Sequence, residues 1–125
     1  MADTYYSKEH EWVKVKEGIA TIGITDYAAH QLGDITYVEL PRTGRSVTQF
    51  GELCNIESVK AASDIFAPVS GKVVKVNDVL EETPEIVNEA PEEAGWIAWI
   101  EMTDEKELAN LLTRQQYDEY LQGLE

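Results

Sequence analysis

Apolar and polar positions alternate with period two through much of the first hundred residues, and that period puts one apolar face on each strand. In Trp12-Val13-Lys14-Val15-Lys16, Val13 and Val15 share one side and the lysines the other. Glu17-Gly18 then turns the chain into Ile19–Ile24, where Ala20, Ile22 and Ile24 share a face. A further strand is predicted over 34–40, stopped by Pro41, because proline cannot donate to a ladder. Others are predicted over 52–59, 65–68, 71–76 and 96–102. Many short strands with turn signals between them indicate a mainly β small barrel or sandwich.

The helical period appears only as inserts. Thr25 can cap a short helix over Asp26–Leu32, with Gly33 just past its last turn. In the tail, Thr103-Asp104-Glu105 marks a helix start, and Leu108, Leu111 and Leu112 form an apolar stripe. Thr113 and Gln116 have the spacing of a capping box, followed by Tyr117, Tyr120 and Leu121 at helical intervals. The tail is thus predicted to be one or two amphipathic helices laid on the β structure, in a structural role. The acidic stretch 81–93, with Pro84 and Pro91, is predicted to be a long loop with some order of its own. Gly18-Ile19-Ala20-Thr21-Ile22 and Gly71-Lys72-Val73-Val74-Lys75 echo each other weakly, as two β units that would flank a central hairpin.

A length of 125 residues fits a single domain, with a β core over about 10–102 and a helical segment over about 103–125. The formal charge of −14 changes the picture of partners. Such a surface repels phosphate backbones and anionic lipid, so neither nucleic acid nor membrane is expected. It suits docking on basic protein faces or holding a cationic group, and it also keeps a protein soluble. The lone cysteine, Cys54, excludes an internal disulfide and reads as a small buried hydrophobe in Leu53-Cys54-Asn55-Ile56. Two histidines, His10 and His30, are too few for a His-based zinc site. His10, beside Trp12, is expected to anchor the N-terminal strand. Trp96 and Trp99 fall on opposite faces of their predicted strand, which puts one in the core and leaves the other for a partner. No apolar run is long enough to span a bilayer, and the first residues lack the features of a signal or transit peptide. A cytoplasmic location is therefore expected. No glycine-rich phosphate loop, nucleophile–base pair or metal spacing is seen, so the chain is not read as an enzyme.

The chemistry concentrates in 56–71. An apolar strand rises to Val59, the small residues Ala61, Ala62 and Ser63 follow, and a second strand returns from Ile65. Lys60 is thus placed near a hairpin apex with slim neighbours. An exposed lysine lacks the burial that lowers the pKa of a Schiff-base or general-base lysine. It is suited to a lysine that another enzyme must reach and acylate, after which a long flexible arm does the chemistry.

Glu57-Ser58-Val59-Lys60-Ala61, with Ser63-Asp64 and Ala67-Pro68-Val69-Ser70-Gly71, resembles the lipoylation site of the glycine cleavage system H protein family. His10-Glu11-Trp12-Val13, Gly23-Ile24-Thr25, Leu32-Gly33-Asp34-Ile35, Leu40-Pro41, Val76-Asn77 and Gly95-Trp96 match family landmarks in order. The likeness runs from His10 to about Glu101. One departure is Pro91-Glu92-Glu93, where the family usually has an aromatic after the proline. The resemblance implies a barrel-sandwich hybrid (lipoyl-domain-like) of two small sheets with short helices. It implies lipoate amide-linked to Lys60, accepting the aminomethyl group of glycine at a PLP-dependent glycine decarboxylase (P protein). The arm would deliver it to an aminomethyltransferase (T protein), and dihydrolipoamide dehydrogenase (L protein) would reoxidise the dithiol. A lipoate ligase or octanoyltransferase would attach the group, and a monomer is expected. The cleft that shelters the loaded arm would be lined by Glu11 and Asp64, with Glu9 where some relatives have Ser. A carboxylate near an ammonium in a partly dried site is a charge-assisted contact.

Three other readings share part of this pattern. A biotin carrier would be expected to show methionines beside the lysine, and here the neighbours are Val59 and Ala61. A relay donating lipoyl or octanoyl groups to other enzymes would have the same hairpin. An unmodified acidic protein-binding domain would tolerate Lys60→Arg.

Overall fold

The computed structural model describes residues 3–124. Its elements follow the chain as β1 (Asp3–Tyr6), β2 (Glu11–Lys16), β3 (Ile19–Ile24), α1 (Asp26–Leu32), β4 (Ile35–Glu39), β5 (Ser46–Val47), β6 (Glu52–Ser58) and β7 (Ala62–Phe66). Then come β8 (Gly71–Val76), α2 (Val79–Glu82), α3 (Ile86–Glu89), β9 (Ala98–Met102), a 3-10 turn (Glu105–Asn110) and α4 (Arg114–Gly123). Six strands form one sheet in the order β1-β2-β3-β9-β8-β5, and three form another in the order β4-β6-β7. Each strand pair within them is antiparallel.

The period-two pattern sorts residues onto faces as the sequence predicts. Val13 pairs with Ile22 and Val15 with Ala20 across β2 and β3, and Ile100 lies opposite both Ala20 and Val73. These side chains meet Ile35, Val38, Cys54, Ile56 and Ile65 of the smaller sheet in one core. Leu80, Val87 and Ile97 are fully buried in that core, so the acidic stretch 81–93 is anchored by two single-turn helices rather than looped out. The two glycine-led units lie in one sheet, β3 and β8 on either side of β9.

β1 and β5 have no counterpart in the sequence reading. β1 is a short edge strand pairing Tyr5 with Val13 and Tyr6 with Trp12, and β5 is two residues long. Such strands carry too little alternation to be seen without their partner.

A second cluster holds the tail. Tyr6, Trp12 and Tyr117 are buried together, with Trp96, Leu112, Tyr120 and Leu121 packed around them. Tyr6 and Tyr117 stack at 4.8 Å between ring centroids, and Tyr6 exchanges backbone hydrogen bonds with Leu112 at 2.8 and 2.7 Å. The capping box at Thr113 and Gln116 forms. Here the expectation for two tryptophans needs correction. Strand β9 begins only at Ala98, so Trp96 and Trp99 do not alternate, and both are half-buried with ring centroids 5.7 Å apart. The fully buried indole is Trp12, whose Nε1 donates to Pro91 O at 2.9 Å. His10 does more than hold the chain after β1, where its N–H donates to Ser7 O at 3.1 Å: its Nδ1 also meets the Tyr117 hydroxyl at 2.8 Å and so ties α4 to this end.

The Pro91-Glu92-Glu93 departure has a local explanation. The Glu92 carboxylate accepts from Asp26 N at 2.9 Å and pairs with Arg114 at 3.5 Å. A carboxylate thus bridges the start of α1 and α4.

Candidate functional site

β6 and β7 form a hairpin whose last ladder pair is Glu57 with Ala62. Ser58 closes the tip. Its N–H donates to Ala61 O at 2.8 Å, and its Oγ accepts from Lys60 N at 3.2 Å and Ala61 N at 3.3 Å. Lys60 is exposed at this apex, and so are Val59, Ala61 and Ala62. Val59 N donates to Asp34 O at 3.0 Å, so the tip is also hooked to the turn after α1. Gly33 in that turn has φ +78° and ψ −157°, a region open almost only to glycine. A β-carbon there would sit 3.3 Å from Lys60 Cε and 3.8 Å from its Nζ. The lysine stem therefore runs across a bare glycine. Asn88 of α3 holds the same turn, donating to Gly33 O at 2.9 Å and accepting from Ile35 N at 2.8 Å.

Of the other carboxylates named from sequence, Glu9 and Glu11 lie beside Phe66 at the far end of β7, while Asp64 is at mid-strand. Asp64 is exposed on that strand and accepts from Asn55 Nδ2 at 3.0 Å. Glu9 lies on the rim of a 430 Å³ cleft with Lys8, Phe50, Phe66 and Asn110. Glu11 does not line this opening. It is 1% exposed, accepting from the Ser7 hydroxyl at 2.5 Å and from Phe66 N at 3.3 Å. Burial pushes its carboxyl up to about 7, against the pull of the Ser7 and Phe66 hydrogen bonds, and nearby Glu9 adds to the rise. Glu11 thus sits behind Phe66, where it fixes the backbone of the cleft wall and switches charge near neutral pH. Lys60 stands apart from this group at the tip: at about 3.3 Å per residue, Phe66 is roughly 13 Å along the strand from Ala62, where β7 leaves the turn.

Sequence reasoning did not single out Ser7, Phe50, Phe66 or Asn88. Phe50 has φ +66° and is half exposed, a strained position for a bulky side chain. Neither its backbone nor Asn88's reach across 55 residues leaves a signal in local pattern. Cys54 is buried and its thiol is pushed up by desolvation and by the carboxylates of Glu11, Glu39 and Glu52. That environment suppresses the thiolate a nucleophile needs. No helix among the described residues is long and apolar enough to cross a membrane.

A family model described as Glycine cleavage H-protein matches residues 4–124. Glycine cleavage system H protein 4 of Aquifex aeolicus is 57% identical over 122 residues, 98% of this chain and 71% of that one. The glycine cleavage system H protein of Oceanobacillus iheyensis is 52% identical over 120 residues, 96% of this chain and 95% of that one. A crystal structure of a glycine cleavage system H protein from Mycobacterium marinum superposes with a TM-score of 0.89 at 32% identity, covering 96% of this chain and 97% of that one.

Proposed function

Since the chain belongs to the glycine cleavage H-protein family, we propose that it is the lipoyl carrier of the glycine cleavage system, with Lys60 as the attachment residue. The observation that carries the assignment of Lys60 is its position at the apex of a closed, exposed hairpin with only small residues after it. An enzyme that encloses the tip meets no bulky side chain at Ala61 or Ala62. In the attachment step the Lys60 amine attacks an activated acyl carbonyl and forms the amide C–N bond. The activating group leaves as AMP or as a thiol, and the amine proton passes to solvent. The bound lipoyl group supplies the disulfide that takes up the aminomethyl carbon of glycine and the dithiol that is afterwards reoxidised. Everything else asked of this chain is presentation and shelter.

Shelter falls to the far end of β7. A lipoyl-lysine arm of about a dozen bonds reaches roughly 14 Å when extended, from standard bond lengths, about the length of β7. A cationic amine carried along β7 passes the Asp64 carboxylate at mid-strand and reaches a cleft with Glu9 on its rim and Glu11 behind its wall. Phe50 and Phe66 make the cleft partly apolar, which strengthens those contacts. The carrier serves the decarboxylase, aminomethyltransferase and dihydrolipoamide dehydrogenase in turn. A ligase or octanoyltransferase loads it in the cytoplasm, and a single 1–125 domain acting as a monomer leaves the hairpin unobstructed.

The test is the intact mass of the protein from its native source, with the Lys60 peptide sequenced by fragmentation. A lipoyl amide on Lys60 is expected. The unmodified lysine, in cells that lipoylate other proteins, would overturn the reading. Lys60→Arg is expected to abolish glycine-dependent exchange activity without changing the melting temperature, whereas an unmodified binding domain would be indifferent to it.

A further inference from the structure

The attachment hairpin is braced from a part of the chain that the sheets do not connect to it. Asn88 sits in the single-turn helix α3 and spends both halves of its amide on one turn, Gly33 to Ile35. That turn in turn holds the hairpin: Asp34 O accepts from Val59 N, and β4 starts its pairing with β6 at Ile35 and Ser58. Lys60's alkyl stem lies across Gly33 itself. Around it, Ala29, His30, Gly33, Asp34 and Asn88 border a notch of 210 Å³. The path from Asn88 to Lys60 thus runs through two bonds from its side-chain amide to the turn, of 2.9 and 2.8 Å, and the backbone bond from Val59 N to Asp34 O at 3.0 Å.

A simple loop staple needs only one such bond. Two, of opposite sense, on the peptides either side of Asp34 fix the orientation of the turn as well as its position. Gly33 needs that help, because its backbone region is open almost only to glycine and glycine is the most mobile residue. An enzyme acylating Lys60 depends on a defined approach of the amine, since a small misplacement in a reacting geometry costs large factors in rate.

We propose that Asn88 is a positioning residue for acylation of Lys60. By clamping Gly33 O and Ile35 N it holds the turn that anchors Val59 and carries the lysine stem, and so sets where the amine is presented to the acyl-transferring enzyme. The inference rests on Lys60 being the acylated residue, as proposed above. The acyl donor is the ligase-bound lipoyl adenylate: the Lys60 amine displaces AMP and releases one proton.

The experiment compares the parent chain with Asn88→Ala, Asn88→Asp and Leu111→Ala. Leu111, just after the 3-10 turn, is buried in the main core away from Asn88's turn and serves as a control for general destabilisation. Acylation is followed by mass with a lipoate ligase, lipoate, ATP and magnesium, and amide exchange of Val59 is measured on the unmodified proteins. Asn88→Ala is expected to lose about tenfold or more in kcat/KM for acylation and to expose Val59 N–H to faster exchange. Leu111→Ala should match the parent in both. Asn88→Asp keeps the acceptor for Ile35 N and loses the donor to Gly33 O, so it should fall between, and it keeps the test open if the alanine variant does not fold. Parent-like acylation and parent-like Val59 exchange in both Asn88 variants would overturn the proposal. So would equal losses in Leu111→Ala. The parent's own mass gain at Lys60 reports separately on the carrier assignment, while Val59 exchange reports on the brace without any ligase.

Discussion

At the scale of single residues, Glu11 has the most consequential environment. Its carboxyl, ordinarily near 4.5, titrates near 7 because burial penalises the charge more than Ser7 and Phe66 stabilise it. The folded protein therefore binds a proton that the unfolded chain has already released between these values. Stability falls as pH rises through that window, and above it the full cost, roughly 3 kcal/mol by the usual 1.36 kcal/mol per pH unit, is carried. Glu11→Gln should flatten the loss between about pH 5 and pH 8 relative to the parent and raise the melting temperature at the alkaline end. Identical pH profiles by calorimetry would show that Glu11 is charged and well compensated in the fold. The sequence alone does not show the burial of Glu11, because a carboxylate at the first position of a strand normally faces water. Only the Ser7 hydroxyl and Phe66 N–H, neither readable from strand pattern, make an inward-facing carboxyl tolerable. Lys60 was legible for the opposite reason: its exposure, its small neighbours and its turn are all local.

At the scale of elements, the legible parts were those that carry their own boundary signals. Thr25 caps α1 through Ala28 N, and Thr113 caps α4 through Gln116 N, both as their spacing predicts. Helices α2 and α3 have no side-chain cap and are held by Leu80 and Val87 in the core, so tertiary packing decided what local preference left open. The β2–β3 hairpin combines both cases. Glu17 and Gly18 turn there with φ values of +51° and +80°, the pair of positive angles required by the tight loop that matches strand twist. Gly18 suits that conformation and Glu17 does not, whereas asparagine adopts it readily. Glu17→Asn is expected to stabilise the fold by roughly 0.5–1 kcal/mol, a rise of a few degrees in melting temperature for a chain of this size. An unchanged or lower midpoint would mean that the Glu17 carboxylate contributes a contact worth as much as the turn preference.

At the scale of the whole molecule, charge is unevenly spread. No Lys or Arg occurs between Lys75 and Lys106, while Asp78, Glu81, Glu82, Glu85, Glu89, Glu92 and Glu93 crowd the segment after β8. On the larger sheet, register places Lys14, Thr21, Trp99 and Lys75 in one row across β2, β3, β9 and β8, with Lys75 Nζ 4.5 Å from the Trp99 ring centroid. Net charge of −14 works against compactness through self-repulsion, which salt screens over about 10 Å at 0.1 M. The melting temperature should therefore rise by several degrees between about 10 mM and about 150 mM sodium chloride. A flat response would show that the acidic segment is neutralised locally.

The pairing of Tyr6 with Leu112, and the stacking of its ring on Tyr117, acquires a meaning in the order of synthesis. Chains are made from the N-terminus and fold as their partners emerge. Tyr6 leaves the ribosome well before Leu112 and Tyr117, which cover it. Gly33, Asp34, Ser58, Lys60 and Asn88 have all been made before either Leu112 or Tyr117. The Lys60 hairpin and the turn beside it are thus on hand earlier, and it is the seam between β1 and α4 that waits for the later residues to be made.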